Sequence, residues 1–214
     1  MTFDFQGRAA LIYCDYVYED NNFSWADKYW QYLKSGGIFI CQTDYHTLPD
    51  IWLHMLDLGA GFLCHSVWRN EWGNHPKNMF HQCFDDILFF TNSKENYRFY
   101  PEKIQVNKVT KSKGLNPSGR QTKTATAWID DVCLTTTSKE RIKKADNHLI
   151  RWQKPLALYE RIIAPFVDEG DLILDPFMGS GSLGVWCKRS YLNYVGIEKD
   201  AEVFGYAKNS IEKG

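Results

Sequence analysis

Residues 172 to 184 read LILDPFMGSGSLG, an aliphatic run followed by three glycines at the spacing G-x-G-x-x-G (Gly179, Gly181, Gly184) and then by a stretch of helical periodicity. The next apolar run, YVGIE, closes on Glu198. Glycines at these positions let the chain turn tightly and approach a ligand, while an acid at the end of the following strand accepts hydrogen bonds from a ribose. The ligand expected is therefore a nucleoside-containing cofactor, with a ligand-free tight turn as the alternative. Asp175 and Pro176 stand at the mouth of the loop, where a pyrophosphate would otherwise lie and be repelled. A carboxylate there suits a cofactor carrying an ammonium group and a sulfonium. The 30 residues after Gly184 are also too few for the second half of a dinucleotide fold. S-adenosylmethionine is expected, ahead of a nicotinamide dinucleotide.

Positive charge is concentrated elsewhere. The segment from Lys103 to Trp128 carries Lys103, Lys108, Lys111, Lys113, Arg120 and Lys123 with no acid, in a chain whose formal net charge is -1. That is the footprint of a phosphate-backbone contact, or else a solvated linker. Six cysteines are scattered without a Cys-x-x-Cys pair, and His75 and His81 are spaced as neither a helical face nor a zinc motif, so no metal is expected.

These residues need elements to hold them. Short apolar runs, each long enough for a buried strand, recur at 9–14, 37–42, 62–68, 85–91, 171–175 and 194–198. Helical periodicity fills 23–33, 47–58, 155–166, 182–189 and 201–212. The alternation predicts an α/β fold with a mainly parallel sheet covered by helices on both faces. Residues 99–147 break the pattern as a long insertion. No apolar run approaches the roughly 18 residues of a membrane span, and no signal peptide opens the sequence, so a cytoplasmic globular chain of one domain is expected.

DPFMGSG, with YVGIEKDAEVFGYAKNSI after it, resembles the cofactor segment of the DNA methyltransferases that modify exocyclic amino groups. The order of the chain resembles their circularly permuted arrangement, catalytic half first (1–98), then a target-recognition insertion (99–147), then the cofactor half (148–214). His148, Gln153, Lys154 and Pro155 look like the family's His-Pro-x-Gln-Lys-Pro element, with extra residues between His and Gln. SGGIFICQTD and CFDDILFFTNS resemble the segments around its catalytic half. The resemblance implies a Rossmann-like S-adenosylmethionine-dependent methyltransferase sheet whose cofactor is held by Lys154, Pro155, Asp175, Pro176, Phe177, Gly179, Ser180, Gly181 and Glu198.

The family's catalytic loop reads Asp, Asn or Ser, then Pro-Pro, then an aromatic. Here Asp15-Tyr16-Val17-Tyr18 follows AALIYC, so the acid and the aromatic are present and both prolines are absent. By resemblance, Asp15 and the carbonyl of Tyr16 accept the N–H bonds of a base amino group, and Tyr18 stacks on the flipped base. Replacing each proline costs on the order of 0.4 to 1 kcal/mol of preorganisation, which weakens a catalyst without abolishing it. The expected function is transfer of a methyl group to an amino group of double-stranded DNA, adenine N6 ahead of cytosine N4 because Asp is commoner than Ser among the family's adenine enzymes. The alternatives are an inactive DNA-binding homologue and, further off, a dinucleotide oxidoreductase. Lys108, Lys111, Lys113, Arg120 and Lys123 are the expected DNA contacts, and a homodimer is implied by resemblance alone.

Overall fold

The computed structural model describes residues 6–16, 22–70, 76–108, 120–135, 138–142 and 152–214; Tyr18, His75, Lys111, Lys113 and His148 lie outside them. The strand β1 (Ala9–Asp15) is buried along its length up to Asp15, as a strand covered on both faces must be. It pairs in parallel with β2 (Leu33–Thr43) on one side and with β8 (Leu172–Asp175) on the other, and β8 pairs in parallel with β9 (Asn193–Gly196). Beyond β2 lies β4 (Phe84–Thr91), antiparallel to β2 and to β3 (Gly61–Arg69). The sheet runs β7-β3-β4-β2-β1-β8-β9, and β4 is the strand that reverses.

Helices cover both faces, as the sequence led us to expect. Leu158 and Ile162 of α3 (Leu156–Ile162) with Leu183 and Trp186 of α4 (Ser182–Arg189) pack on Leu11, Ile40, Phe89 and Ile173. Ala26 of α1 (Ser24–Trp30) with Ile51 and Met55 of α2 (Leu48–Asp57) pack on Ile12, Phe39, Cys41 and Leu88. The terminal helix α5 (Ala201–Lys213) starts at Asp200, whose side chain accepts from the N–H groups of Glu202 and Val203.

The structure differs from the sequence reading in three places. The helical pattern over 155–166 splits into α3 and a 3₁₀ turn (Ala164–Phe166), since Pro165 lacks the N–H a continuing helix needs. The first helix stops at Trp30, because Gln31 and Tyr32 turn into a β2 that begins at Leu33, ahead of the expected Gly37. The insertion is not separate from the sheet. It forms a small ribbon from β5 (Gln105–Asn107) and β6 (Thr122–Thr124), and then returns as β7 (Trp128–Ile129), which pairs in parallel with β3 at the sheet edge. Its first lysine is a structural group: Lys103 Nζ donates to the carbonyl of Val167 at 2.5 Å and lies 3.3 Å from Asp168. A cleft of about 240 Å³ opens between this insertion, the sheet and α3, lined by Cys64, Phe89, Phe99, Ala125, Ile162 and Phe166; Asp15, Lys154 and Asp175 do not line it.

Gly181 opens α4 at φ +76°, and a Cβ there would sit 2.8 Å from the Cβ of Ala207 in α5. Gly181→Ala combines left-handed strain with overpacking and should lower stability by about 2–4 kcal/mol in urea unfolding. Gly205, inside α5 with nothing within 4 Å of its added Cβ, is the counterpart: Gly205→Ala should raise stability by about 0.5–1 kcal/mol.

Candidate functional site

Parallel strands end on one edge of a sheet, and open α/β sheets bind ligands there. Asp15 ends β1 and Asp175 ends β8, so the two halves of the chain deliver their acids to the same edge. Between them stands Lys154, in the turn before α3. Its Nζ donates to Asp15 Oδ2 at 2.5 Å, and the residue is 8% exposed. The turn is itself fixed: Gln153 donates to the carbonyl of Glu140 at 2.7 Å and accepts from the N–H of Ile142 at 2.9 Å, and Pro155 caps α3 in an extended conformation. Trp152, which leads into it, adopts φ +62°.

A row of polar side chains extends the site across β1, β2 and β4 to Asn70, the residue after β3. Tyr13 donates to Gln42 Oε1 (2.5 Å), Gln42 Nε2 donates to Asp85 Oδ2 (2.6 Å), and Asn70 Nδ2 donates to Asp85 Oδ1 (2.6 Å). Burial pushes the carboxyl of Asp85 up to about 6, against the pull of the Lys154 ammonium. Burial also pushes Asp175 up to about 7, although it accepts from Tyr194 Oη at 3.0 Å and from the N–H of Phe177 at 3.2 Å; Asp15 and Glu198 add to the rise. For Lys154, burial disfavours the charge, but Asp15, Asp85 and Asp175 outweigh it and hold the ammonium above its ordinary value.

The glycine loop has the geometry its sequence implies. Gly179 lies at φ +52°, and a Cβ there would meet the Phe177 carbonyl oxygen no closer than 3.9 Å, so the loop offers room for a ligand there. Its N–H donates to Glu198 Oε2 at 2.9 Å, and Glu198 Oε1 accepts from the N–H of Asp200 at 2.9 Å. The half-buried Glu198 carboxylate is thus locked in place with lone pairs to spare. A pyrophosphate would have to displace that carboxylate and sit beside Asp175, whereas a ribose donating hydroxyls and a cationic amino-acid tail fit the two acids. Pro176 is buried, and the half-buried Phe177 lies edge-on to Trp25 at 5.2 Å, joining the loop to the chain that follows Asp15. Ser180 is buried against Ser182, which shares a hydrogen bond with Tyr159 at 2.9 Å; the serine side chain ties α4 to α3.

Lys154, expected at the cofactor, donates a hydrogen bond to Asp15. Tyr16, expected to act through its carbonyl, turns its side chain into the aromatic cluster of Phe23, Trp25 and Phe177 and is 4% exposed. Val17 and Tyr18 fall outside the described residues, as do Lys111 and Lys113. Lys108 and Arg120 come together at the open end of the β5–β6 ribbon, where the N–H of Lys108 donates to the carbonyl of Gln121 at 2.8 Å, and Lys123 projects from β6. Gln42, Asp85, Asn70 and Tyr194 were not anticipated; the signal available was a polar residue ending each of two apolar runs, GIFICQ and DDILFF read backwards along its reversed strand.

A family model described as DNA methylase, N6_N4_Mtase, matches residues 16–209. The chain is 31% identical over 161 residues to the type II methyltransferase M.HpaI of Haemophilus parainfluenzae, covering 73% of this chain and 47% of that protein. It is 29% identical over 185 residues to M2.LlaDCHI of Lactococcus lactis subsp. cremoris, covering 85% and 62%. It therefore spans about half to three-fifths of these relatives. Among solved structures, that of the M1.HpyAVI–SAM complex superposes with a TM-score of 0.66 at 25% identity, over 94% of this chain and 88% of that one. PvuII DNA methyltransferase (cytosine-N4-specific) superposes with 0.73 at 13% identity, over 96% and 80%, a likeness of fold.

The raised carboxyls give a pH signature. Asp175 and Asp85 bind protons more tightly folded than unfolded, so their contribution to stability is full below about pH 4 and is lost as pH rises toward about 6 to 7. Asp175→Asn should abolish its share: the difference in unfolding free energy between wild type and variant should change between pH 4 and 7 and be flat above it. A difference that does not vary with pH would show that Asp175 is not held protonated by burial.

Proposed function

The chain belongs to the N6_N4_Mtase family of DNA methylases, and from that membership we propose that it transfers a methyl group from S-adenosylmethionine to an exocyclic amino group in double-stranded DNA, adenine N6 ahead of cytosine N4. The observation that carries the reading is the meeting of Asp15 with Asp175, Glu198 and the open glycine loop on one sheet edge. Gly179 leaves space for the cofactor, Glu198 would accept from its ribose, and Asp175 would face its ammonium. When bound, the cofactor supplies an electrophilic methyl group whose bonding pair leaves with sulfur.

The protein's part is to make a poor nucleophile attack. The lone pair of a base amino nitrogen is delocalised into the ring; Asp15 and the backbone carbonyl of Tyr16 accept its two N–H bonds and turn that pair toward the methyl carbon. As the N–C bond forms, the proton the nitrogen must shed passes to the Asp15 carboxylate. Lys154 holds that carboxylate in place through its hydrogen bond to Oδ2. Reaching the site requires the base to leave its stack, at a cost of a few kcal/mol, and stacking on Tyr18 returns about 1 to 3 kcal/mol. Lys108, Arg120 and Lys123, with Lys111 and Lys113, supply phosphate contacts.

Three measurements test this. Incubation with labelled S-adenosylmethionine and mixed DNA, followed by mass analysis of the nucleosides, should yield a methylated adenine; Asp15→Ala should cut single-turnover transfer on the order of 100- to 1000-fold with cofactor affinity little changed. No transfer by wild type, with transfer gained by Tyr16→Pro plus Val17→Pro, would identify an inactive homologue. Cofactor at 100 times its dissociation constant should stabilise the fold by about 2.7 kcal/mol, and stabilisation by a nicotinamide dinucleotide instead would overturn the reading. Finally, log K for duplex DNA should fall with log salt at a slope of roughly -4 to -5 if about five side chains displace counterions, and replacing the five insertion cations should flatten it.

A further inference from the structure

Among the described residues, Lys154 has more donors than the acceptors it reaches. An ammonium has three N–H bonds, and among the described residues Asp15 Oδ2 is the acceptor Lys154 reaches. The other two nearby carboxyls accept from other donors, Asp85 from Gln42 and Asn70, and Asp175 from Tyr194 and Phe177. A charged group 8% exposed does not leave N–H bonds unfilled without cost.

We propose that Lys154 reads the target base, donating a hydrogen bond to the ring nitrogen next to the amino group that Asp15 accepts from. This rests on the function proposed above. On the Watson–Crick edge, adenine places N1 beside its N6 amino group, and cytosine places N3 beside its N4 amino group. Each offers a donor next to an acceptor, the complement of a carboxylate next to an ammonium 2.5 Å away. Guanine and thymine offer the reverse, a carbonyl oxygen next to a protonated ring nitrogen. In the same pose the oxygen would face Asp15 and the N–H would face Lys154, so both contacts would be repulsive. The pair thus admits the two bases whose Watson–Crick edge sets an amino group next to an unprotonated ring nitrogen, and in that pose rejects the other two. Asp85 and Asp175 keep the ammonium charged without competing for its free donors.

The test deletes the acceptor from the substrate, leaving the protein intact. Once the methylated site is known, oligonucleotides carrying the natural base and its ring-carbon analogue, 1-deazaadenine or 3-deazacytosine, are compared in single-turnover transfer by wild type, Lys154→Met and Lys154→Arg. Wild type should methylate the analogue about 10- to 100-fold more slowly, the range for a hydrogen bond to a charged group. Lys154→Met should be slow on both and show no preference, and Lys154→Arg should restore part of the discrimination. Equal rates on both substrates by wild type would overturn the proposal, as would discrimination that survives in Lys154→Met. Loss of S-adenosylmethionine affinity in Lys154→Met, with no base discrimination in wild type, would return the lysine to the cofactor. Should Lys154→Met fail to fold, the wild-type comparison and Lys154→Arg still decide. Absence of transfer to any natural base would instead sink the proposed function, a separate outcome.

Discussion

One buried ammonium balances three carboxyls on the edge of the sheet, and the placement of every other site group depends on that balance. Asp15, Asp85 and Asp175 come from β1, β4 and β8, and left to themselves they would repel one another in a medium that solvates charge poorly. Lys154 makes their proximity tolerable. It does so unequally: it contacts Asp15, while burial prevails at Asp85 and Asp175 and raises both. The acid proposed to accept the substrate's protons is thus the one given the cation, and the two supporting acids are tied off by neutral donors. Breaking such a pair by removing one partner leaves an unbalanced charge, which is why the turn bearing Lys154 is bound so tightly through Gln153 and Glu140.

Much of the scaffold was readable from the sequence because its physics is local. A strand covered on both faces must be apolar throughout, so AALIYC, GIFICQ and DLILD declared themselves, and the positive φ at Gly179 and Gly181 follows from the turn they had to make. The direction of β4 was not readable, since apolar content is the same whichever way a strand runs. Nor was β7, two residues long and held by its partner rather than by any pattern of its own.

The site was readable where a motif spans consecutive residues and opaque where it depends on distant ones. Asp175 to Gly181 and Glu198 lie in one strand-turn-helix-strand unit, and their relation follows from that unit. The contact of Lys154 with Asp15 joins positions 139 apart, and nothing in the spacing of either residue encodes it. The same holds for Gln42 and Asp85, whose meeting needs the reversed strand. The sequence pointed to the carbonyl of Tyr16 but not to the place of its ring, which packs against Phe23, Trp25 and Phe177, where an aromatic gains more from contact than from exposure.

The β5–β6 ribbon has a consequence for how such a protein diversifies. Three ladder pairs, Gln105 with Thr124, Val106 with Lys123 and Asn107 with Thr122, bring the outgoing and returning chain together, and the bond from Lys108 to Gln121 closes the gate. The chain between those two residues thus leaves and re-enters the ribbon at one point. Doubling its length adds only about 0.6 kcal/mol of closure entropy. A ribbon closed in this way lets the length of the connection vary at little cost to the closure itself.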